Sequence, residues 1–232
     1  MKVGVTLPQF QEDGEIAIAA ARHAEELGLD GVFVFDHLWP IGQPDKPVLP
    51  ALPLLGALTA ETSRVHLASL VARVGLVPDA VLVHELASLA RMAPGRFIAG
   101  LGTGDRMSAA ENLAFGVAFP PAEARREALR WCCRQLRSLG IPTWVGLGAA
   151  SLSTRAVAVE EGATLNYWEA PLAAVAAEPD VEVTWAGPLP GGVDALVQRL
   201  KELAQAGATW AVCAWPSSLE VVAEAAAAAR VA

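Results

Sequence analysis

The sequence has few of the residue patterns that mark secreted, metal-binding or disulfide-stapled proteins. It contains 3 cysteines, with no C-x-x-C pair and no cysteine/histidine spacing of the zinc type. Cys132 and Cys133 fall on a predicted helix and Cys213 in a predicted strand, so we expect all three to be buried small apolar residues. The histidines and carboxylates show no zinc or magnesium ligand spacing, which argues against the metal-dependent barrel enzymes.

Positive charge and long apolar runs are also scarce. The 17 Lys and Arg residues are outnumbered by 25 Asp and Glu residues, for a net charge of −8. No basic stripe is present, which argues against a nucleic-acid partner. Apolar windows are cut by residues such as Pro50, Pro53, Arg64 and Arg73 before they reach the ~18–20 residues of a membrane span. The start shows no charged leader region or cleavage site, so we expect a cytoplasmic protein.

What the sequence does contain is an alternation of β-branched runs and amphipathic segments. With 53% hydrophobic residues over 232 positions, it can bury a large core. Eight strand-like runs predict a (β/α)8 TIM barrel formed as one domain by residues 1–232; an open, doubly wound sheet is the alternative. The runs are Val3–Leu7, Gly31–Phe35, Val65–Val71, Arg96–Leu101, Thr143–Gly148, Ala163–Trp168, Val181–Trp185 and Thr209–Trp215.

Unusual polar and small residues follow these runs, where a barrel enzyme has its active site. Asp36 and His37 come directly after the second run, and a histidine at a barrel mouth suits proton transfer; a helix cap with a packed, neutral ring is the alternative. The segment 146–151 (GLGAAS) joins a strand to a helix start that favours a ligand phosphate, although a tight connection without a ligand has the same sequence. Asp79 is expected to cap the helix Ala80–Met92.

Several blocks together resemble the bacterial luciferase-like monooxygenase family of barrel enzymes, which use flavin or the deazaflavin coenzyme F420. The resemblance runs nearly end to end, and the form of the Gly102-Thr103-Gly104 and Asp36-His37 blocks is most similar to the F420-dependent branch. The blocks that carry it are GVTLPQ at 4–9, AEELGLDG at 24–31, DHL at 36–38, LTAETSRV at 58–65, LASL at 86–89, PGRFIAGLGTG at 94–104, EN at 111–112 and AFG at 114–116.

The resemblance implies roles for individual residues. His37 would be the catalytic acid/base or charge-stabilising group, with Gln9 and Trp39 on the substrate side. A non-prolyl cis peptide is implied at Leu70–Val71. The implied cofactor-binding residues are Asp36, Ser69, Leu70, Val71, Thr103, Gly104, Gly146, Gly148, Ala149 and Ala150.

The implied activity is hydride transfer between F420 and a small organic substrate, by a homodimer. An FMN-dependent monooxygenase or reductase on the same barrel and a non-catalytic cofactor-binding barrel are the alternatives. The family's usual insertions between the fourth and fifth strands are absent here, since the helix Ala122–Leu139 passes almost directly to Ile141. Arginines such as Arg73, Arg106 or Arg155 would have to attract an anionic coenzyme.

Overall fold

The computed structural model describes residues 1–148, 151–216 and 218–231. Within these residues, nine parallel strands form a single sheet with neighbouring order β3-β2-β1-β9-β8-β7-β6-β5-β4. The strands are β1 (Lys2–Thr6), β2 (Gly31–Val34), β3 (His66–Ser69), β4 (Ala72–Arg73), β5 (Phe97–Gly102), β6 (Thr143–Leu147), β7 (Thr164–Trp168), β8 (Val183–Gly187) and β9 (Ala208–Cys213).

The sheet closes on itself, because β3 also pairs with β5 through Leu67–Phe97 and Ala68–Ile98. The short strand β4 continues β3 along the same partner, where Ala72 pairs with Leu101. Strands β3 and β4 therefore fill one barrel position, and the peptide bond between Leu70 and Val71 that separates them is cis, as the resemblance implies. The predicted (β/α)8 barrel is confirmed, and the open-sheet alternative is wrong.

Helices surround the strands and follow them in the chain. They are α1 (Gly14–Glu26), α2 (Ala51–Glu61), α3 (Asp79–Met92), α4 (Arg106–Ala114), α5 (Ala122–Ser138), α6 (Leu152–Glu160), α7 (Leu172–Ala176), α8 (Val193–Gln205) and α9 (Leu219–Val231). Within the described ranges, none of them combines the length and apolar character needed to cross a bilayer.

Local sequence explains where the helices begin and which face they bury. Helix α5 buries Leu129, Cys132, Cys133 and Leu136, the spacing of one helical face. Burial raises the pKa of the Cys132 and Cys133 thiols to about 12, so these cysteines act as small apolar residues, as expected. Asp79 is not the cap of α3: Pro78 holds that position, and Asp79 is the first helical residue.

Aromatic side chains fill the lower barrel interior. Phe33, Trp144 and Trp210 pack with ring centroids 5.5–5.7 Å apart. The cluster lies near the strand starts, since Trp210 also contacts Lys2 and His66, the first residues of β1 and β3. These rings therefore fill the barrel interior near the amino ends of the strands.

Candidate functional site

A cavity of about 650 Å³ opens at the carboxyl end of the barrel. This is the volume of a small-molecule or cofactor site. Its lining comes from the carboxyl ends of the strands and from the loops that follow them, which is the place barrel enzymes use for chemistry. The lining side chains on which the site depends are Phe10, Phe35, Asp36, His37, Leu70, Val71, Arg73, Thr103, Asp105, Ser151, Asn166 and Trp168.

The floor of the cavity is Val71, which rests on glycines of β5 and β6. A Cβ atom on Gly146 would lie 2.9 Å from Cγ1 and 3.0 Å from Cγ2 of Val71, and one on Gly102 would also collide with Cγ2. Real Cβ atoms do not approach so closely, so only glycine at these positions lets the Val71 side chain lie directly against the backbone of β5 and β6. The glycines therefore keep the space above Val71 open.

One wall carries a buried network centred on Glu111 of α4, which lies behind His37 and Arg73 of the lining. Its Oε1 lies 2.7 Å from Nδ1 of His37, and its Oε2 accepts hydrogen bonds from the Leu38 backbone N–H and from Nη2 of Arg73, both at 3.0 Å. Glu111 is 1% and Arg73 4% exposed. Because a carboxylate only accepts, it holds the proton of His37 on Nδ1 and leaves Nε2 as the nitrogen that can exchange a proton with a ligand.

Asp36 lies beneath this network. Its Oδ2 accepts a hydrogen bond of 2.7 Å from the Arg73 backbone N–H. Burial raises the pKa of the Asp36 carboxyl, and the Arg73 hydrogen bond and positive charge oppose that effect. Asp36 thus connects the segment after β2 to Arg73 of β4, and it also lines the cavity.

The loop between β5 and α4 is held from two sides. Asp105 caps α4 by accepting hydrogen bonds from the backbone N–H groups of Met107 and Ser108 at 2.9 and 3.0 Å. Arg125 of α5 donates to the carbonyl oxygens of Thr103 and Gly104, the second at 2.7 Å. Gly104 adopts φ +66°, a conformation that favours glycine. These contacts fix the loop and set the start of the helix that carries Glu111.

The structure brings most of the residues predicted as site residues to this one cavity, and Ser69 lies directly below it. Ser69 is fully buried, and its hydroxyl donates to the Gly100 carbonyl at 2.8 Å. Ala149 and Ala150 lie outside the described residues. The predicted residues that line the cavity are Asp36, His37, Leu70, Val71, Thr103, Gly104, Gly146 and Gly148.

Two predicted substrate residues do not reach the cavity lining. Gln9 is fully buried, and its amide bonds both the N–H and the carbonyl of Phe35, at 2.6 and 2.7 Å. Its side chain thereby replaces a strand partner for the end of β2. The ring of Trp39 packs 5.9 Å from that of Phe115. Gln9 therefore serves the protein backbone, which corrects the expectation of a substrate contact there, whereas a substrate contact of Trp39 stays a prediction.

Sequence reasoning missed the roles of Glu111 and Arg125 and the aromatic part of the lining. Glu111 belonged to a recognised sequence block, but no local pattern joined it to His37, 74 positions away. Of the three arginines considered for anion attraction, Arg73 is paired with Glu111, Arg155 is paired with Glu178, and Arg106 is exposed at the first residue of α4.

Comparison with known sequences finds similar enzymes for the first part of the chain. The family model described as luciferase-like monooxygenase matches residues 1–146. A protein of Kineococcus radiotolerans named F420-dependent glucose-6-phosphate dehydrogenase is 39% identical over 127 residues, which are 54% of this chain and 36% of that protein. The matched part thus spans little more than a third of the relative's length.

Solved structures with the same fold cover almost the whole chain. An F420-dependent secondary alcohol dehydrogenase, in complex with an F420-acetone adduct, superposes with a TM-score of 0.81 at 15% identity, covering 99% of each chain. A coenzyme F420-dependent tetrahydromethanopterin reductase from Methanopyrus kandleri gives a TM-score of 0.73 at 15% identity, covering 97% of each chain. At such identities the likeness establishes the fold.

Proposed function

The chain belongs to the luciferase-like monooxygenase family, and from that premise we propose that it is an oxidoreductase that transfers a hydride between coenzyme F420 and a small organic substrate. The observation that carries the proposal is the glycine-floored cavity with His37 held on its wall by Glu111. The names of the relative from Kineococcus radiotolerans and of the two superposed enzymes, all F420-dependent, support this choice of cofactor.

The residues present fit a flat ring system with an anionic tail. Val71 would support the ring from below, with Leu70 beside it, because the glycines under Val71 keep that floor low. Thr103 and Gly104 would line one edge, and Gly148 together with Ser151, the residue before α6, would hold the phosphate. Nε of Arg73 is buried with no hydrogen-bond partner in the described part of the chain, which leaves this guanidinium one acceptor short.

When bound, F420 would supply the carbon that accepts or gives the hydride. The chain's own task is to move the proton and to orient the substrate. With Nδ1 committed to Glu111, Nε2 of His37 would take the proton of a substrate hydroxyl as the hydride leaves, or return it in the reverse direction. Glu111 stabilises the positive charge that the ring then carries, and it acts as a positioning residue through His37.

The test begins with cofactor binding by the purified chain. We expect saturable binding of F420, followed by fluorescence of the deazaflavin, and much weaker binding of FMN. Preferential binding of FMN would favour the flavin-dependent alternative, and binding of F420 without turnover of any substrate in a broad alcohol and carbonyl screen would favour the non-catalytic barrel. No binding of either would contradict the proposal.

The role of His37 is tested by His37→Ala. We expect turnover to fall about 10²–10⁴-fold, the range of general acid/base catalysis, while the Kd for F420 changes only a few-fold. His84→Ala, at an exposed position on α3, is the matched control. Equal losses in turnover and F420 affinity would remove His37 from the proton-transfer step. The expected homodimer and cytoplasmic location stay predictions, which light scattering and cell fractionation test.

A further inference from the structure

A second cavity of about 250 Å³ adjoins the first at the ends of β1 and β9. Phe10 and Phe35 line both cavities and therefore lie where the two adjoin. The remaining lining of the second cavity is largely apolar and includes Leu7, Pro8 and Trp215. It lies on the side of the barrel mouth opposite to Thr103, Gly104 and Gly146, which are proposed to hold the cofactor.

An aromatic surface runs from one cavity to the other. The rings of Phe10 and Phe35 are stacked, with centroids 6.0 Å apart and planes at 9°. Phe35 also meets Trp168 edge-on at 5.7 Å. Phe10 is 37% and Trp215 43% exposed, so part of each ring is accessible to a ligand. A ligand with an apolar arm would cover both.

The charges around the two cavities do not suit a phosphorylated substrate. Asp36 and Asp105 place carboxyl groups in the main lining, and the guanidinium of Arg73 is already paired with Glu111. None of the three lysines of the sequence lines either cavity. The positions outside the described ranges are alanines and one serine, which add no positive charge. A phosphate dianion on the substrate would therefore meet the carboxyl groups of Asp36 and Asp105, and the Arg73 guanidinium of this lining is already paired with Glu111.

We infer that the substrate is an uncharged alcohol, or the corresponding carbonyl compound, whose apolar arm lies in the second cavity against Phe10 and Trp215. This inference rests on the proposed function and names its substrate class. In the oxidative direction the carbinol C–H bond breaks and its hydride goes to F420, the O–H proton goes to His37, and a C=O bond forms. The site differs in this from the relative whose name specifies glucose-6-phosphate.

The first experiment compares substrates on the F420-bound enzyme. We expect kcat/KM for 1-phenylethanol to exceed that for glucose-6-phosphate by about 100-fold or more, with propan-2-ol between them. Disappearance of the oxidised deazaflavin absorbance is the readout. A kcat/KM for glucose-6-phosphate equal to or above that for 1-phenylethanol would overturn the inference.

The second experiment removes the apolar wall. Trp215→Ala should raise KM for 1-phenylethanol about ten-fold and leave KM for propan-2-ol within about two-fold, because only the larger alcohol reaches the second cavity. The backbone N–H of residue 215, which donates to Thr6 Oγ1 at 2.8 Å, is unaffected by the change. Trp131→Ala, at a tryptophan of similar exposure (40%) on α5, is the matched control and should change neither value. Phe10→Ala repeats the test if Trp215→Ala does not fold.

Calorimetric titration of the chain without cofactor separates this inference from the proposed function. If F420 does not bind, the proposed function fails, yet binding of 1-phenylethanol that Trp215→Ala weakens would still locate an apolar subsite here. If F420 binds and Trp215→Ala and Phe10→Ala both leave KM unchanged for every alcohol, the proposed function stands and the subsite is wrong.

Discussion

Replacing Gly146 by alanine should push Val71 into the cavity and weaken both the fold and cofactor binding. The new Cβ would lie 2.9 Å from Cγ1 and 3.0 Å from Cγ2 of Val71. Rotation of the valine gives only partial relief, because one of its two methyl groups still faces the new atom. Movement away from it within the sheet is blocked by Gly100 and Gly102, against which Val71 already packs. The free direction is toward the cavity.

The size of the effect follows from these distances. Carbon atoms in contact prefer about 3.5–4.0 Å, so Val71 must move by about 0.5–1 Å. Such overpacking costs about 1–3 kcal/mol, and a movable side-chain end favours the lower part, about 1–2 kcal/mol. In a protein of this size that lowers Tm by about 2–8 °C. Loss of the low floor should also raise the Kd for F420 about ten-fold, or 1.4 kcal/mol.

Thermal unfolding and F420 fluorescence titration measure the two effects separately. Gly56→Ala is the matched control, since Gly56 lies inside α2 and a Cβ there meets no atom within 4 Å. That substitution should raise stability by about 0.5–1 kcal/mol through helix propensity and leave F420 binding unchanged.

A double-mutant cycle with Val71→Ala decides whether the contact is the cause. The double variant should lose less free energy of unfolding than the sum of the losses in the two single variants, because Val71→Ala removes the methyl groups with which the Cβ at position 146 collides. Strict additivity would refute the steric explanation. Wild-type Tm and wild-type F420 affinity in Gly146→Ala would refute the description of Val71 as a floor supported by glycine.

Two further predictions concern buried and half-buried carboxylates. Glu111→Gln deprives the buried Arg73 of its carboxylate and should lower the free energy of unfolding by about 3 kcal/mol. Turnover should fall by a larger factor than the affinity for F420. Glu224→Gln, at an exposed position, is the control, and an unchanged free energy of unfolding in Glu111→Gln would contradict the network. Glu25 accepts hydrogen bonds from the backbone N–H groups of Ser63, Arg64 and Val65, which outweigh desolvation and lower its pKa from 4.5 to about 2. The stabilisation by ionised Glu25 is therefore present above pH 4.5 and lost as the pH falls toward 2. Glu25→Gln should lower the free energy of unfolding by about 1–2 kcal/mol at pH 7, after allowance for solvent screening, and by little near pH 2. Denaturant unfolding measures both values, and an equal loss at the two pH values would contradict the assignment.

The barrel and the position of its rim were predictable because they depend on local signals. A run such as Gly31–Phe35 is buried on both faces and reads as a parallel strand, and Asp36 and His37 follow it directly. Once the strands are parallel and closed, every residue that follows a strand lies at the same end. Chain order alone therefore placed Asp36, His37 and Thr103 near one another.

The partners of these residues were not predictable, since they depend on side-chain direction and on contacts distant in sequence. Helix α4 is short and weakly amphipathic, so neither its existence nor the inward direction of Glu111 was evident, although Asp105 and Ser108 form a capping pair. Gln9 shows the opposite error. It follows a strand like His37, but its amide serves the backbone of Phe35, and a rule based on chain position does not distinguish the two uses.

The boundary of the family match divides the cavity in an informative way. Residues 1–146 supply His37, Val71, Glu111 and the glycine of β6, which together form the proposed cofactor floor and proton-transfer group. Trp168 and Trp215, which shape the aromatic side, lie beyond that match. Shared chemistry requires only the first group, whereas substrate choice depends on the whole lining. Relatives that share only the first part of the chain can therefore differ from this barrel in the substrate that they accept.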